Sequence, residues 1–133
     1  MTAAGFPALL QAFFLDRLVH QRQASPHTIA GYRDTFRLLL RFAAERLRKP
    51  PTALEIDDLG APFIGLFLDD LESRRGNRAR TRNARLAAIR SFFKHVALNE
   101  PRHALLCQRV LAMPNKRHER PLVEFLQHTE VDA

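Results

Sequence analysis

The sequence predicts a compact all-α protein, a bundle of four to five helices. Apolar residues recur three and four positions apart in four or five separate stretches, and no stretch alternates apolar with polar residues over the length of a strand. Helix-breaking residues separate these stretches at 50–51, 76–77 and 99–101. With 133 residues, 46% of them hydrophobic, the chain is long enough to bury one core. We expect residues 1–113 to form this helical domain and residues 114–133 to lead out of it as a linker.

The first two helices are predicted over about 7–21 and 26–48. Ser25 offers a capping hydroxyl ahead of Pro26, whose fixed φ suits the first helical position. Prolines at 50–51 cannot continue the second helix and so end it. The residues expected on the buried sides of these helices are Leu10, Phe13, Phe14, Leu18, Ile29, Tyr32, Phe36, Leu39, Leu40, Ala43 and Leu47.

Three further helices are predicted. The third begins at 57–58 or at 61–62 and ends near Arg74, the fourth spans about 78–98, and the fifth spans about 102–112. The only cysteine, Cys107, excludes a disulfide framework and is expected to be buried. The buried residues predicted for the third and fourth helices are Ile64, Phe67, Leu68, Leu71, Leu86, Ile89, Phe93 and Val96.

Charge is large and unevenly placed along the chain. The formal net charge is +7, with 18 Arg to 3 Lys, a ratio that phosphate recognition and a GC-rich codon bias both favour. Residues 73–99 hold eight basic residues and no acidic one, whereas residues 55–72 hold six acidic residues and no basic one. A solvated helix normally mixes the two signs. The separation therefore indicates an anionic partner, either nucleic acid or an acidic membrane surface.

The fourth helix carries the most suggestive row of polar residues. Its members recur every three or four positions opposite the apolar side, where arginine can pair with guanine and asparagine with adenine in a major groove. A small alanine in the row permits close approach, and three more arginines near the helix start are placed to reach flanking phosphates. A merely solvated outer face is the alternative. The row comprises Arg80, Asn83, Ala87, Arg90 and Lys94, and the flanking residues are Arg78, Arg82 and Arg85.

The second helix adds a further basic edge. Arg33, Arg37 and Arg41 follow one another a turn apart beside its apolar side. At its N-terminus, where free backbone N–H groups favour phosphate, lie Ser25, His27 and Thr28. For Ser25 and Thr28, plain helix capping is an equally good reading, and the two roles are compatible.

Two motifs resemble a known family. Residues 25–36 read SPHTIAGYRDTF, similar to the S-x-x-T-x-x-x-Y-x-x-D-L pattern of tyrosine recombinase core-binding domains, although here Arg33 and Asp34 follow Tyr32 directly. Residues 81–93 read TRNARLAAIRSFF, which resembles that family's R-L-x-A-[IL]-R-S-F-[FY] signature. Residues 121–122 and 129–133 look like the first residues of its catalytic domain.

This resemblance implies a SAM-like helical domain that binds double-stranded DNA over one side of a recombination site. In the family the second and fourth helices contact DNA, and other helices help protomers assemble on the site. The catalytic half supplies an Arg, a Lys, a His-x-x-Arg pair, another His and a nucleophilic Tyr, which forms a 3′-phosphotyrosyl link without a metal.

None of that catalytic set can be placed in this chain, so we expect a DNA-binding part of an integrase rather than an enzyme. No His is followed three residues later by Arg, and the sole tyrosine, Tyr32, falls on the apolar side of the second helix. The six His lack ligand spacing, so neither a metal nor a cofactor is expected. We see no signal peptide or membrane span, which favours a cytoplasmic protein.

Three other functions stay open. A helix-turn-helix regulator also places a basic helix in a major groove, with the break at 76–77 as its turn. A helical protein-interaction module would use an exposed apolar stripe or the acidic third helix and would bind with little sensitivity to salt. A basic helix lying on a membrane is disfavoured because the apolar side of the fourth helix is needed for the core.

Overall fold

The computed structural model describes residues 5–16, 25–76 and 78–117, which form an all-α bundle. Residues 13–16 extend the first helix by a π turn, and 3-10 turns cover Pro51–Ala53, Ile56–Leu59 and Pro101–His103. The predicted fold class is confirmed, and these three ranges hold no strand. The α-helices are α1 (Phe6–Ala12), α2 (Pro26–Leu47), α3 (Ala61–Arg75), α4 (Ala79–Asn99) and α5 (Ala104–Leu111).

Local sequence explains where α2 and α3 begin and end. The Ser25 hydroxyl accepts a hydrogen bond from the Thr28 backbone N–H at 3.1 Å, and Pro26 opens α2. Arg48, in the left-handed conformation with φ 55°, closes it. Of the two predicted starts of the third helix, the one at 61–62 is correct, and residues 56–59 form a separate 3-10 turn that ends at Gly60. Gly76, with φ 64°, closes α3 as a residue without Cβ can do at little cost.

The other predicted boundaries hold to within a residue or two. The first helix starts at Phe6 rather than Pro7, and its predicted end at Gln21 and its predicted core residue Leu18 lie outside the described residues. The predicted fifth helix is divided into the turn at 101–103 and α5.

Helix α4 is the centre of the core. It packs against α2, α3 and α5, and the buried ring of Phe92 meets those of Phe6, Phe13 and Phe36 edge to face at centroid distances of 5.5, 5.6 and 5.5 Å. All the residues predicted to be buried in the third and fourth helices are buried, as is Cys107. Helix α4 also buries Ala88, Phe92 and His95, so its inner side is wider than a single stripe. Only one edge of α4 is left for external contacts.

The described ranges contain neither a membrane-spanning helix nor a metal-binding cluster. None of the helices within the described ranges is both long and apolar enough to cross a bilayer. No three His, Cys, Asp or Glu side chains gather there in an arrangement able to hold a metal ion. Burial raises the pKa of the Cys107 thiol, which keeps it in the protonated form that is a poor nucleophile.

Candidate nucleic-acid interface

The predicted row on α4 divides into exposed and covered residues. Arg80, Ala87 and Lys94 are exposed, and neither cation has an ion-pair partner in the part of the chain that the structure describes. Asn83 and Arg90, by contrast, are half-buried. Both contact the chain that leaves α5, so the row is open only at its ends and at the alanine between them.

The covering segment is residues 113–116. The Asn83 side-chain amide donates to the Lys116 carbonyl at 2.8 Å, and the Lys116 backbone N–H donates to Asn83 Oδ1 at 2.8 Å. Arg90 donates from Nη1 to Asn115 Oδ1 at 2.9 Å and from Nη2 to the Met113 carbonyl. The prediction treated both side chains as available to DNA, whereas the structure engages them within the domain.

Arg82, predicted to reach a phosphate, instead joins α4 to α3. Its side chain is 16% exposed, and its Nη1 lies 2.8 Å from Asp69 Oδ1 and also contacts Glu72 Oε1. Burial lowers the pKa of Arg82, but the hydrogen bonds and charges of the two carboxylates outweigh that effect and raise it. Two carboxylates of the acidic α3 therefore neutralise a cation of α4, and of these only Glu72 is largely shielded from solvent.

Arg85 likewise joins α4 to α2. Its side chain is 14% exposed, with Nη1 3.2 Å from Asp34 Oδ2 and 3.3 Å from the Thr35 hydroxyl. Burial raises the pKa of Asp34, but hydrogen bonds from Arg37 and Arg85 and their charges bring it below its ordinary value. Of the three flanking arginines predicted, only Arg78 is exposed without a carboxylate partner among the described residues.

The basic edge of α2 is largely open. Arg33, Arg37 and Arg41 are all exposed, and only Arg37 has an ion-pair partner there, Asp34 at 2.7 Å. Arg41 lines a shallow cleft of about 200 Å³ between α2 and α3, together with Arg74 and Arg75 at the end of α3. Glu45 and Asp70 line the same cleft, so the charge of this surface is mixed with an excess of arginine.

Arg75 is a residue that the sequence reasoning counted within the basic run but did not select. It is exposed, and no carboxylate pairs with it among the residues described, while its neighbour Arg74 is 3.1 Å from Asp70. Its place beside Arg41 became evident only from the packing of α2 on α3. The only signal in the sequence was its position directly before a helix break.

The N-terminus of α2 is built mainly as a cap. Ser25 receives the Thr28 N–H and donates its own hydroxyl proton to Thr28 Oγ1 at 3.0 Å. Ser25 and His27 are exposed, and Thr28 is half-buried. Tyr32, on the same helix, lies half-buried with its ring parallel to that of Phe13 at 6.4 Å, which is a packing contact.

Together these features define a small all-α domain with a buried aromatic core and exposed cations on α2 and on α4. Residues 12–98 match the family described as phage integrase, N-terminal SAM-like domain. The chain therefore belongs to that family, as its motifs at 25–36 and 81–93 suggested. No solved structure shows a significant match to it.

Named relatives agree with this assignment. Two Sinorhizobium fredii proteins carrying the name integrase/recombinase are 58% and 51% identical to this chain, over 98% and 94% of its length. The tyrosine recombinase XerC of Rhodospirillum centenum is 37% identical over 73% of it. The matched regions are 39%, 44% and 30% of those proteins, so the chain spans less than half the length of each.

Proposed function

We propose that this domain binds double-stranded DNA as the core-binding domain of a site-specific tyrosine recombinase or integrase. The observation that carries the proposal is a set of exposed cations without carboxylate partners in the described ranges, all on or beside two neighbouring helices of an integrase-family domain. Such cations can neutralise phosphates without first giving up an internal ion pair. They are Arg33 and Arg41 on α2, Arg75 at the end of α3, Arg78 just before α4, and Arg80 and Lys94 on α4.

The length of α4 suits a major groove. Arg80 and Lys94 lie fourteen residues apart, which is about 21 Å along a helix. That distance exceeds the roughly 12 Å width of the groove, so a cation at each end can reach a phosphate on either side. Exposed Ala87 lies midway, between the two residues that hold the segment 113–116, so the helix approaches base edges there only when that segment is displaced. The cations of α2 extend the contact along the backbone, and the two helices thus hold the recombination site between them.

Catalysis is assigned to a part of the protein other than this helical domain. Because the chain spans less than half of its relatives, we propose that the parent protein cleaves and rejoins DNA with groups outside residues 1–113. The domain's own role is to select the site and to align it. Further protomers on the same DNA are expected to meet through other surfaces, for which α3 is our candidate.

The test measures how salt weakens binding of the chain to labelled duplexes that carry candidate sites. Each lost phosphate contact reduces the slope of log K against log salt by about 0.9, so Arg80→Ala with Lys94→Ala should reduce it by about 1.8. Arg109→Ala is the matched control, because Arg109 is an exposed cation on α5, away from the proposed interface. Selectivity requires tighter binding to one natural site than to its scrambled duplex. Absence of binding at low salt, or an equal loss of slope in the control, would refute the proposal.

A protein-interaction module is the second candidate. Leu98 at the end of α4 and Leu105 on α5 are 67% and 60% exposed, as residues of a docking surface would be. This alternative predicts a partner whose binding does not vary with salt and is weakened by Leu105→Ser. DNA binding with the slope described above would exclude it as the main role of the basic surface.

A further inference from the structure

The chain that leaves the bundle does not run directly into solvent but lies along α4. Met113 lies at Arg90 and Lys116 at Asn83, so the segment runs antiparallel to the helix. Seven residues of α4 separate the two anchors, about 10.5 Å. The three peptide units from Met113 to Lys116 extend to at most about the same length. Residues 113–116 are therefore long enough to pass from one anchor to the other.

Asn83 and Arg90 each hold the segment by two hydrogen bonds of their side chains. Asn83 both donates to and accepts from Lys116, which satisfies the donor and the acceptor of one residue with one amide group. Arg90 uses both terminal nitrogens, and its Nε is shielded from solvent. With these atoms engaged, neither side chain can make a two-bond contact to a base unless the segment is released.

A third anchor comes from α3. Glu72 Oε2 lies 2.7 Å from the Lys116 ammonium while Oε1 of the same carboxylate meets Arg82 of α4. The hydrogen bond from Lys116 is the main reason that the pKa of Glu72 lies below its ordinary value, so the pair stays charged at neutral pH. The Glu72 carboxylate thus ties the segment to α3 directly and to α4 through Arg82.

We infer that Glu72, Asn83 and Arg90 form a linker seat, which fixes the direction in which residues 113–117 leave the helical domain. The seat sets the path of the chain relative to the open cations of α4, and so sets the side of α4 from which the chain continues. It also assigns Asn83 and Arg90 to holding this segment, which leaves DNA contact to the cations around them. The seat exists without DNA, and only its orienting role rests on the proposed function.

Hydrogen exchange of the Lys116 amide tests the seat in the free protein. Within the described residues this N–H has Asn83 as its partner, so exchange should be at least tenfold slower than in an unstructured peptide of the same sequence. Asn83→Ala should return it to within about twofold of the peptide rate. Arg80→Ala is the control, because Arg80 lies on the same edge of α4, is exposed and forms no hydrogen bond or ion pair with residues 113–117. Protected amides at 92–96 verify that α4 remains folded.

Two more variants keep the test decisive if Asn83→Ala unfolds the chain. Glu72→Gln removes the ion pair between Lys116 and α3 and should speed exchange of the Lys116 amide by a few-fold. Arg90→Ala removes the other anchor and should speed tryptic cleavage after Lys116 and Arg117 to a similar degree. Peptide-like exchange in the wild type, or protection that no variant alters, would overturn the seat. Failure of DNA binding alone would contradict the proposed function but not the linker seat. If Arg90→Ala lowers the salt slope of DNA binding as much as Arg80→Ala, or if Asn83→Ala weakens binding to the natural site but not to its scrambled duplex, the assignment of that residue to the linker is wrong.

Discussion

Replacing Arg82 separates an internal role from a DNA contact. In Arg82→Met the side chain keeps its length but loses its bonds to Glu72 and Asp69. The Glu72 bond joins side chains that are 16% and 21% exposed, and a charge-assisted bond of this kind is worth about 1.5–2 kcal/mol. Asp69 is 69% exposed, so its bond adds only about 0.3 kcal/mol. The expected loss is about 2 kcal/mol in the free energy of unfolding, or roughly 6–8 °C in Tm for a domain of this size.

The assay is urea and thermal unfolding, run beside the salt-dependent DNA titration. Arg80→Met is the matched control, since Arg80 precedes Arg82 by two residues on α4 but is exposed and lacks an ion-pair partner in the described ranges. Its stability should stay within about 0.5 kcal/mol of the wild type, while its salt slope should fall by about 0.9. The reasoning is refuted if Arg82→Met leaves stability unchanged, or if it lowers the salt slope as Arg80→Met does.

Substitutions at five other positions have defined outcomes. Gly76→Ala should lower the free energy of unfolding by about 1 kcal/mol because φ is 64° there. Gly31→Ala should raise it by about 0.5–1 kcal/mol, since Gly31 lies within α2 with open space around a new Cβ. Equal effects of the two substitutions in urea unfolding would contradict this. Phe92→Ala should cost about 3–5 kcal/mol in the same assay because four aromatic rings surround it. Ser25→Ala should cost about 1 kcal/mol, whereas Ser25→Asp should keep the cap and weaken DNA binding; unaltered binding would mean that Ser25 is a cap alone. Because the pKa of Asp34 is lowered in the folded state, its contribution is present above about pH 4 and lost as pH falls through the folded value. Acid unfolding should therefore lose part of its pH dependence in Asp34→Asn, and an unchanged profile would contradict that account.

The fold was predictable because local signals agree with packing in this chain. Prolines and glycines mark most helix ends, and the apolar residues of α3 repeat with helical spacing. The prediction was too narrow for α4, where Phe92 was overlooked beside Phe93. One apolar stripe is enough for a helix with one packing partner, whereas α4 packs against α2, α3 and α5 and must bury a broader surface.

The details of the candidate interface were less accessible from sequence. The separation of acidic from basic residues was read as a sign of an external anion, yet Asp69 and Glu72 of α3 pair with Arg82 of α4. Asp34 lies 51 positions from its partner Arg85, and such a pairing has no local signature. Nor does spacing along α4 reveal that a segment after α5 folds back over Asn83. Which cations on a basic helix are open is decided by its neighbours in space.

Tyr32 is an intrinsic fluorescent probe of its own contact with Phe13. The chain has one Tyr and no Trp, so its intrinsic fluorescence arises from a single ring. That ring lies parallel to Phe13, at an angle of 11°, where α2 meets the turn that extends α1. Tyrosine emission therefore reports on this one junction without any label. A titration followed in this way shows directly whether α1 remains docked when a ligand binds elsewhere on the bundle.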